Sequence, residues 1–263
     1  MWNTFILTPM VNVLIFIYNF VFHNFGLSII LFTIVIRLIT FPLTAQQLKS
    51  QVKMQELNSS KKWQEIQKKY KDDKQRLSQE QMALYKEMGI NPLGGCLPLL
   101  IQFPIMIGLY QSIMLALAAA PIQLLTLSRS IYQFIPASLL IPINSHFLWM
   151  NLALPESSNP LFWITPTIGF PLMTILVVLT TYMQSKLMTP AATNPNDQSA
   201  QMSRSMNLMM PIMMGFITYS IASGLALYFI VSNLLGIAQY AFMGKANWRN
   251  LLSIRGPAVS LKK

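Results

Sequence analysis

One arginine, Arg37, stands in the middle of the apolar run "ILFTIVIRLITFPL", Ile30 to Leu43. A guanidinium stays charged inside a protein and offers five N–H donors in a planar fork, a match for carboxylates and other polar acceptors. At the centre of a lipid-spanning helix it costs about 2.5–3.5 kcal/mol on insertion scales. The apolar segments contain no Asp and no Glu, so an ion pair within them is excluded by inventory. Two ways remain to accommodate the charge. Arg37 lies seven residues before Thr44, about 10 Å at ~1.5 Å per residue, so it can partly snorkel to the nearer surface. Alternatively it lines a water-filled cavity. Thr33 sits one turn earlier on the same helical face. Gln102, Gln184, Asn233 and Gln239 lie in other apolar segments. Each alone reads as an interhelical hydrogen bond; together with an unpaired arginine they point to a hydrated groove.

Other chemistry is sparse. The single cysteine, Cys96, excludes an internal disulfide, and His23 and His146 sit in no metal motif. There is no HExxH motif, no paired aspartates within an apolar run and no Gly-rich phosphate loop. No enzyme activity, metal or cofactor is expected. Methionines crowd one place instead: Met202, Met206, Met209, Met210, Met213 and Met214. They read either as lipid-facing filler or as an adaptable apolar surface for varied partners, with Met206, Met209, Met210 and Met213 forming a slide.

The elements that must position these residues follow from composition and charge. The chain of 263 residues is 53% hydrophobic and 10% charged, against about 25% charged in a soluble domain. Apolar runs of roughly 20 residues place it in a bilayer. The net charge is +11. Residues 46–90 hold ten Lys/Arg and six acids, 10 − 6 = +4, and the tail after Met243 holds five cations and no acid. Positive segments stay cytoplasmic, so both face inward, while 118–160, with only Arg129 and Glu156, faces outward. The expected fold is an all-α membrane protein, a five-transmembrane-helix bundle with N-terminus out and C-terminus in. It carries a cytoplasmic helical hairpin and an outer interfacial N-terminal helix.

The expected boundaries are as follows. Residues 1–25 form the interfacial helix, favoured over a sixth span because Pro9, Asn12 and Asn19 interrupt a short apolar run. Residues 26–45 are the first span and 46–90 the hairpin, with "KDD" at 71–73 as turn and N-cap and Gly89 as its stop. Residues 91–117 are the second span, 118–160 an outer connection, 161–188 the third span and 189–204 a cytoplasmic loop. Residues 205–243 hold the fourth and fifth spans, and 244–263 the basic tail. The tail suits anionic lipid or the phosphates of ribosomal RNA, with no specific nucleic-acid sequence. The start "MWNTFILTPM" shows neither a basic leader nor a small-residue cleavage site, so no cleavable signal is expected. A small-solute transporter or channel with a polar midplane site is the rival class, against which the lack of a repeat between halves counts.

Three ordered stretches resemble the YidC/Oxa/Alb family of membrane protein insertases. "KYKDDKQRLSQEQMALYKEMGINPLGGCLPLLIQFPI", 69–105, is similar to the family's hairpin and second span. "IVIRLITFPLT", 34–44, is similar to its first-span arginine segment, and "SGLALYFIVSNLLGIAQ", 223–239, to its last span. The resemblance implies a chaperone and insertase that handles nascent membrane proteins in a hydrophilic groove open to the cytoplasm. It places Arg37 on the groove arginine and Gln102 on the polar "LIQ" position, and Thr33, Tyr228 and Phe229 on positions linked to substrate contact. Phe229 stands where the family often carries Tyr or Trp. Partners implied are the ribosome, the signal recognition particle pathway and the general secretion channel. The location implied is a bacterial plasma membrane rather than a thylakoid.

Overall fold

A computed structural model describes residues 1–58, 60–70, 73–89, 97–117, 121–132, 135, 143–158, 160–165, 168–188 and 198–243. Cys96, the segment 189–197 and the tail 244–263 lie outside these. The helices are α1 (Thr8–Phe20, preceded by a π-helical turn Asn3–Leu7), α2 (Phe25–Asn58), α3 (Lys61–Lys69), α4 (Lys74–Glu87) and α5 (Leu97–Ala116). They continue with α6 (Pro121–Ser130), α7 (Leu172–Met188), α8 (Gln198–Ser220) and α9 (Ser223–Phe242). The chain is a helical, multi-pass membrane protein. Asn3–Phe20, Phe25–Ser50 and Ser223–Phe242 are long and apolar enough to cross a bilayer, with shorter apolar helices at Gln102–Ala116, Leu172–Leu187 and Leu208–Ser220.

Several boundaries differ from the sequence reading. The expected break between first span and hairpin at 45/46 is absent, since α2 runs unbroken to Asn58. No Gly or Pro occurs between Thr44 and Asn58, and extending a formed helix is easier than nucleating a new one. Pro42 lies inside α2 and deletes one backbone donor. The Thr40 and Thr44 hydroxyls donate to carbonyls around it, Thr40 to Ile36 O at 2.8 Å and Thr44 to Phe41 O at 3.0 Å. α7, the helix expected as the third span, starts at Leu172, not 161. Residues before it form an antiparallel hairpin of β3 (Trp163–Thr165) and β4 (Ile168–Gly169), flanked by Pro160 and Pro171, which lack the N–H that a helix needs. A second hairpin joins β1 (His146–Phe147) and β2 (Met150–Asn151), so the outer connection is not purely helical. The helix of the fourth span begins at Gln198, seven residues before the expected Ser205, since no Gly or Pro lies between Gln198 and Met210.

The hairpin arms form a core of their own. Ser60 caps α3 by accepting Trp63 N at 3.2 Å, and Asp73 caps α4 by accepting Arg76 N at 3.0 Å. Gly89 closes α4 at φ +62, a left-handed conformation that suits glycine. Leu57, Trp63 and Leu84 are buried together, apart from the bundle core.

Asn3–Phe20, expected at the interface, is also of membrane-crossing length. Its exposed face carries Phe5, Val13, Phe16 and Phe20, while Asn12 points inward. The Asn12 amide donates to Thr8 O and Ser130 O and accepts from Tyr132 N, tying α1 to the end of α6.

Lipid is as apolar as leucine, so these helices are held by close fit and by bonds between them. The α2–α9 pair shows both. Ile29 meets Gly224, Arg37 meets Ser232 and Thr44 meets Gln239, each pair 195 residues apart. A constant offset means that the two helices run parallel, touching at two-turn intervals. A Cβ on Gly224 would stand 3.2 Å from both Ile29 Cδ1 and the Leu152 carbonyl, so the closest approach depends on glycine.

Candidate functional site

Polar side chains of α2, α5 and α7 converge on one helix, α9. Tyr228, Ser232, Gly236 and Tyr240 recur every four residues along it and so form one ridge. Arg37 of α2 reaches this ridge. Its Nη2 donates to Ser232 Oγ at 2.6 Å and to the Ser232 carbonyl at 2.8 Å, and its Nε donates to Ser232 Oγ at 3.2 Å. Among the described residues no acceptor takes its Nη1. The guanidinium is half-buried, while Ser232 is 3% exposed.

Around this seat stand three further groups. Gln102 Nε2 of α5 donates to the Tyr228 hydroxyl at 2.7 Å. On α7, Gln184 comes in over Gly236, where a Cβ would sit 2.5 Å from its Nε2 and 3.7 Å from Arg37 Nη2. The missing side chain at 236 is what admits the Gln184 amide to the α9 backbone, while Arg37 lies at ordinary contact distance. On the neighbouring face, Asn233 Nδ2 donates to Thr181 Oγ1 at 2.8 Å and to Thr180 Oγ1 at 3.2 Å.

The structure therefore brings Arg37, Gln102, Gln184 and Tyr228 together, with Asn233 behind them. It does not bring in the other predicted residues. Thr33 is fully buried and its hydroxyl donates back to Ile29 O at 2.6 Å. Phe229 is buried in the apolar core, tilted against Tyr228. Met209 and Met213 lie on the exposed side of α8 with Leu208, Ile212 and Phe216, and Met210 is half-buried. The side chain of Met206 lies outside the described residues. Ser232 and Gly236, which form the seat, were missed. The four-residue spacing from Tyr228 was the available signal, but a serine and a glycine in an apolar helix carry none without the register of the facing helix.

At the end of the bundle where α2 and α9 begin, the outer connection is bonded to α9. Ser223 N and Oγ donate to Leu154 O, and Gly224 N donates to Leu152 O at 3.0 Å. Met150 and Leu152 are buried beneath. Glu156, buried nearby, accepts Met173 N, Thr174 N and the Thr174 hydroxyl at the start of α7, where the helix dipole favours an anion.

No group of three or more His, Cys, Asp or Glu able to hold a metal occurs among the described residues. The arrangement offers one cationic donor, several neutral donors and acceptors, and no nucleophile paired with a base.

A family model described as "60Kd inner membrane protein" matches residues 16–249. The membrane protein insertase YidC of Syntrophobacter fumaroxidans is 33% identical over 245 residues, covering 93% of this chain and 38% of that protein. YidC of Fusobacterium nucleatum is 37% identical over 222 residues, covering 84% of this chain and 87% of its own. The insertase MisCA of Bacillus subtilis is 34% identical, covering 90% and 77%. A crystal structure of an active YidC insertase superposes with a TM-score of 0.59 at 25% identity, covering 92% of this chain and 46% of the other. This chain thus spans well under half the length of some relatives and most of the length of others.

Proposed function

The chain belongs to the YidC/Oxa/Alb family of membrane protein insertases, and from that premise we propose that it inserts small membrane proteins and helps them fold. It is a multi-pass protein of a bacterial inner membrane. The observation that carries the reading is Arg37: a half-buried cation among neutral polar groups from three other helices, with no carboxylate among its hydrogen-bond partners.

The five spans in this reading are α2, α5, α7, α8 and α9, with the start of α2 outside. The bonded outer end and the polar cluster then make a groove open only to the cytoplasm and the lipid. A nascent hydrophobic segment must carry a polar terminus or loop across lipid. A groove reaching partway shortens the dry path. The Nη1 edge of Arg37, Gln102 and Gln184 offer donors to the arriving polar group. The exposed Met209 and Met213 side of α8, with Met206 and Met210, receives the apolar helix. Thr33 and Phe229 act from behind, by holding the helices in place. Hydrophobic partitioning drives release. The amphipathic hairpin α3–α4 receives or gates the substrate. Partners in this reading are nascent chains, anionic lipid, the ribosome, the signal recognition particle pathway and the secretion channel.

Arg37→Ala is expected to abolish insertion of a single-span substrate with an acidic outer tail in reconstituted vesicles. Undiminished insertion of several such substrates would sink the groove role of the arginine.

A further inference from the structure

Arg37 is held by one residue. Its Nε and Nη2 both donate to Ser232 Oγ, and Nη2 also donates to the Ser232 carbonyl. These two nitrogens form the side-on edge with which a guanidinium grips a carboxylate through two parallel bonds. That edge is already full. Gly236 and the Gln184 amide close the space one turn further along, and Ser232 itself is buried. Tyr228, one turn before Ser232 on the same ridge, is fixed by Gln102. A carboxylate arriving at Arg37 therefore finds only Nη1, enough for a single hydrogen bond, unless Ser232 lets go.

We infer that Ser232 is a specificity-determining residue: by occupying the side-on edge of Arg37 it restricts acidic groups of a passing chain to one short-lived hydrogen bond. This rests on the proposed contact between Arg37 and the passing chain. A passing segment has to be attracted and then released. A bidentate arginine–carboxylate pair is a trap, because two parallel charge-assisted hydrogen bonds must break together before the segment can move on. A serine has the right chemistry for this position. It is neutral, so it leaves the attracting charge of Arg37 intact; its hydroxyl and carbonyl oxygens occupy Nε and Nη2; and it is short enough to stay on the α9 ridge.

The test uses the whole protein in lipid vesicles. Two single-span substrates differ only by Asp or Asn in the translocated tail, which carries a photoreactive residue. The decay of crosslinking during insertion gives the dwell time of each. Ser232→Ala is expected to raise the Asp-to-Asn ratio of dwell times about tenfold, the worth of one added hydrogen bond. Ser232→Thr, which keeps the hydroxyl, should return the ratio to that of the unaltered protein. Lysine has no fork, so Ser232→Ala should leave the ratio unmoved in an Arg37→Lys background. An unchanged ratio in Ser232→Ala, with Arg37→Ala still blocking insertion, overturns the inference and leaves the groove reading standing. Undiminished insertion in Arg37→Ala overturns both.

Discussion

A guanidinium with no carboxylate in reach must be satisfied by neutral oxygens, and Ser232 supplies two from one residue. The same logic governs Gln102, whose amide donates to Tyr228. Tyr228→Phe removes that acceptor while keeping the ring, so it should lower stability by about 1 kcal/mol. The measurement is denaturant unfolding in mixed micelles, and a second substitution, Gln102→Leu, should recover part of the loss. No loss in Tyr228→Phe would mean that water replaces the phenol, and hence that the site is well hydrated. Arg37 and Gln102 were legible in the sequence because such groups are rare and costly in apolar helices, whereas Tyr228 came only from the family resemblance. Ser232 and Gly236 were not, because small residues are ordinary there and acquire meaning only from what faces them.

At the scale of elements, α2 decides most of the architecture. Its 34 residues, about 51 Å at 1.5 Å each, exceed the ~30 Å hydrocarbon core. One helix thus joins the membrane bundle to the charged hairpin, carrying Arg37 in one half and Leu57 at its far end. The α3–α4 pair depends on the small cluster of Leu57, Trp63 and Leu84. Trp63→Ala removes its largest member, a change that costs about 3–5 kcal/mol in a packed core. We expect limited proteolysis to cut the variant within 59–90 while the membrane helices stay protected. Equal resistance in variant and parent would show that the arms are held by lipid rather than by each other. The amphipathic period and the caps of these arms could be read from sequence. The continuity of α2 could not, since a change from apolar to charged composition looks the same whether or not the helix breaks. For the β3–β4 hairpin the prolines at 160, 166 and 171 are a sequence signal against helix, outweighed by apolar composition, and the strand pairing, the Phe170 N to Phe162 O bond and the stacked rings of these two residues show the turn-back.

The whole molecule is asymmetric between its two ends. Bonds from Ser223 N to Leu154 O, from Gly224 N to Leu152 O and from Asn144 N to the Tyr18 hydroxyl join the outer connection to α9 and α1 at the end where α2 and α9 begin. A transporter would need access there in turn; an insertase groove does not. In a chain whose Cys96 is replaced by Ala, a cysteine at 102 should react with a membrane-impermeant thiol reagent from the cytoplasmic side alone. Labelling from the outer side would favour the transporter class. The amino-acid sequence by itself determined that the chain lives in a bilayer, roughly where its helices run, and that Arg37 has no acid within the apolar runs to pair with. Those follow from composition and local periodicity, which need no knowledge of neighbours. Only the tertiary structure decided that Ser232 takes the fork and that Gln184 fills the gap over Gly236. Those partners are set by the register of helices that are distant in sequence, and that register is fixed by close approach at small residues, a property of surfaces in contact rather than of any one segment.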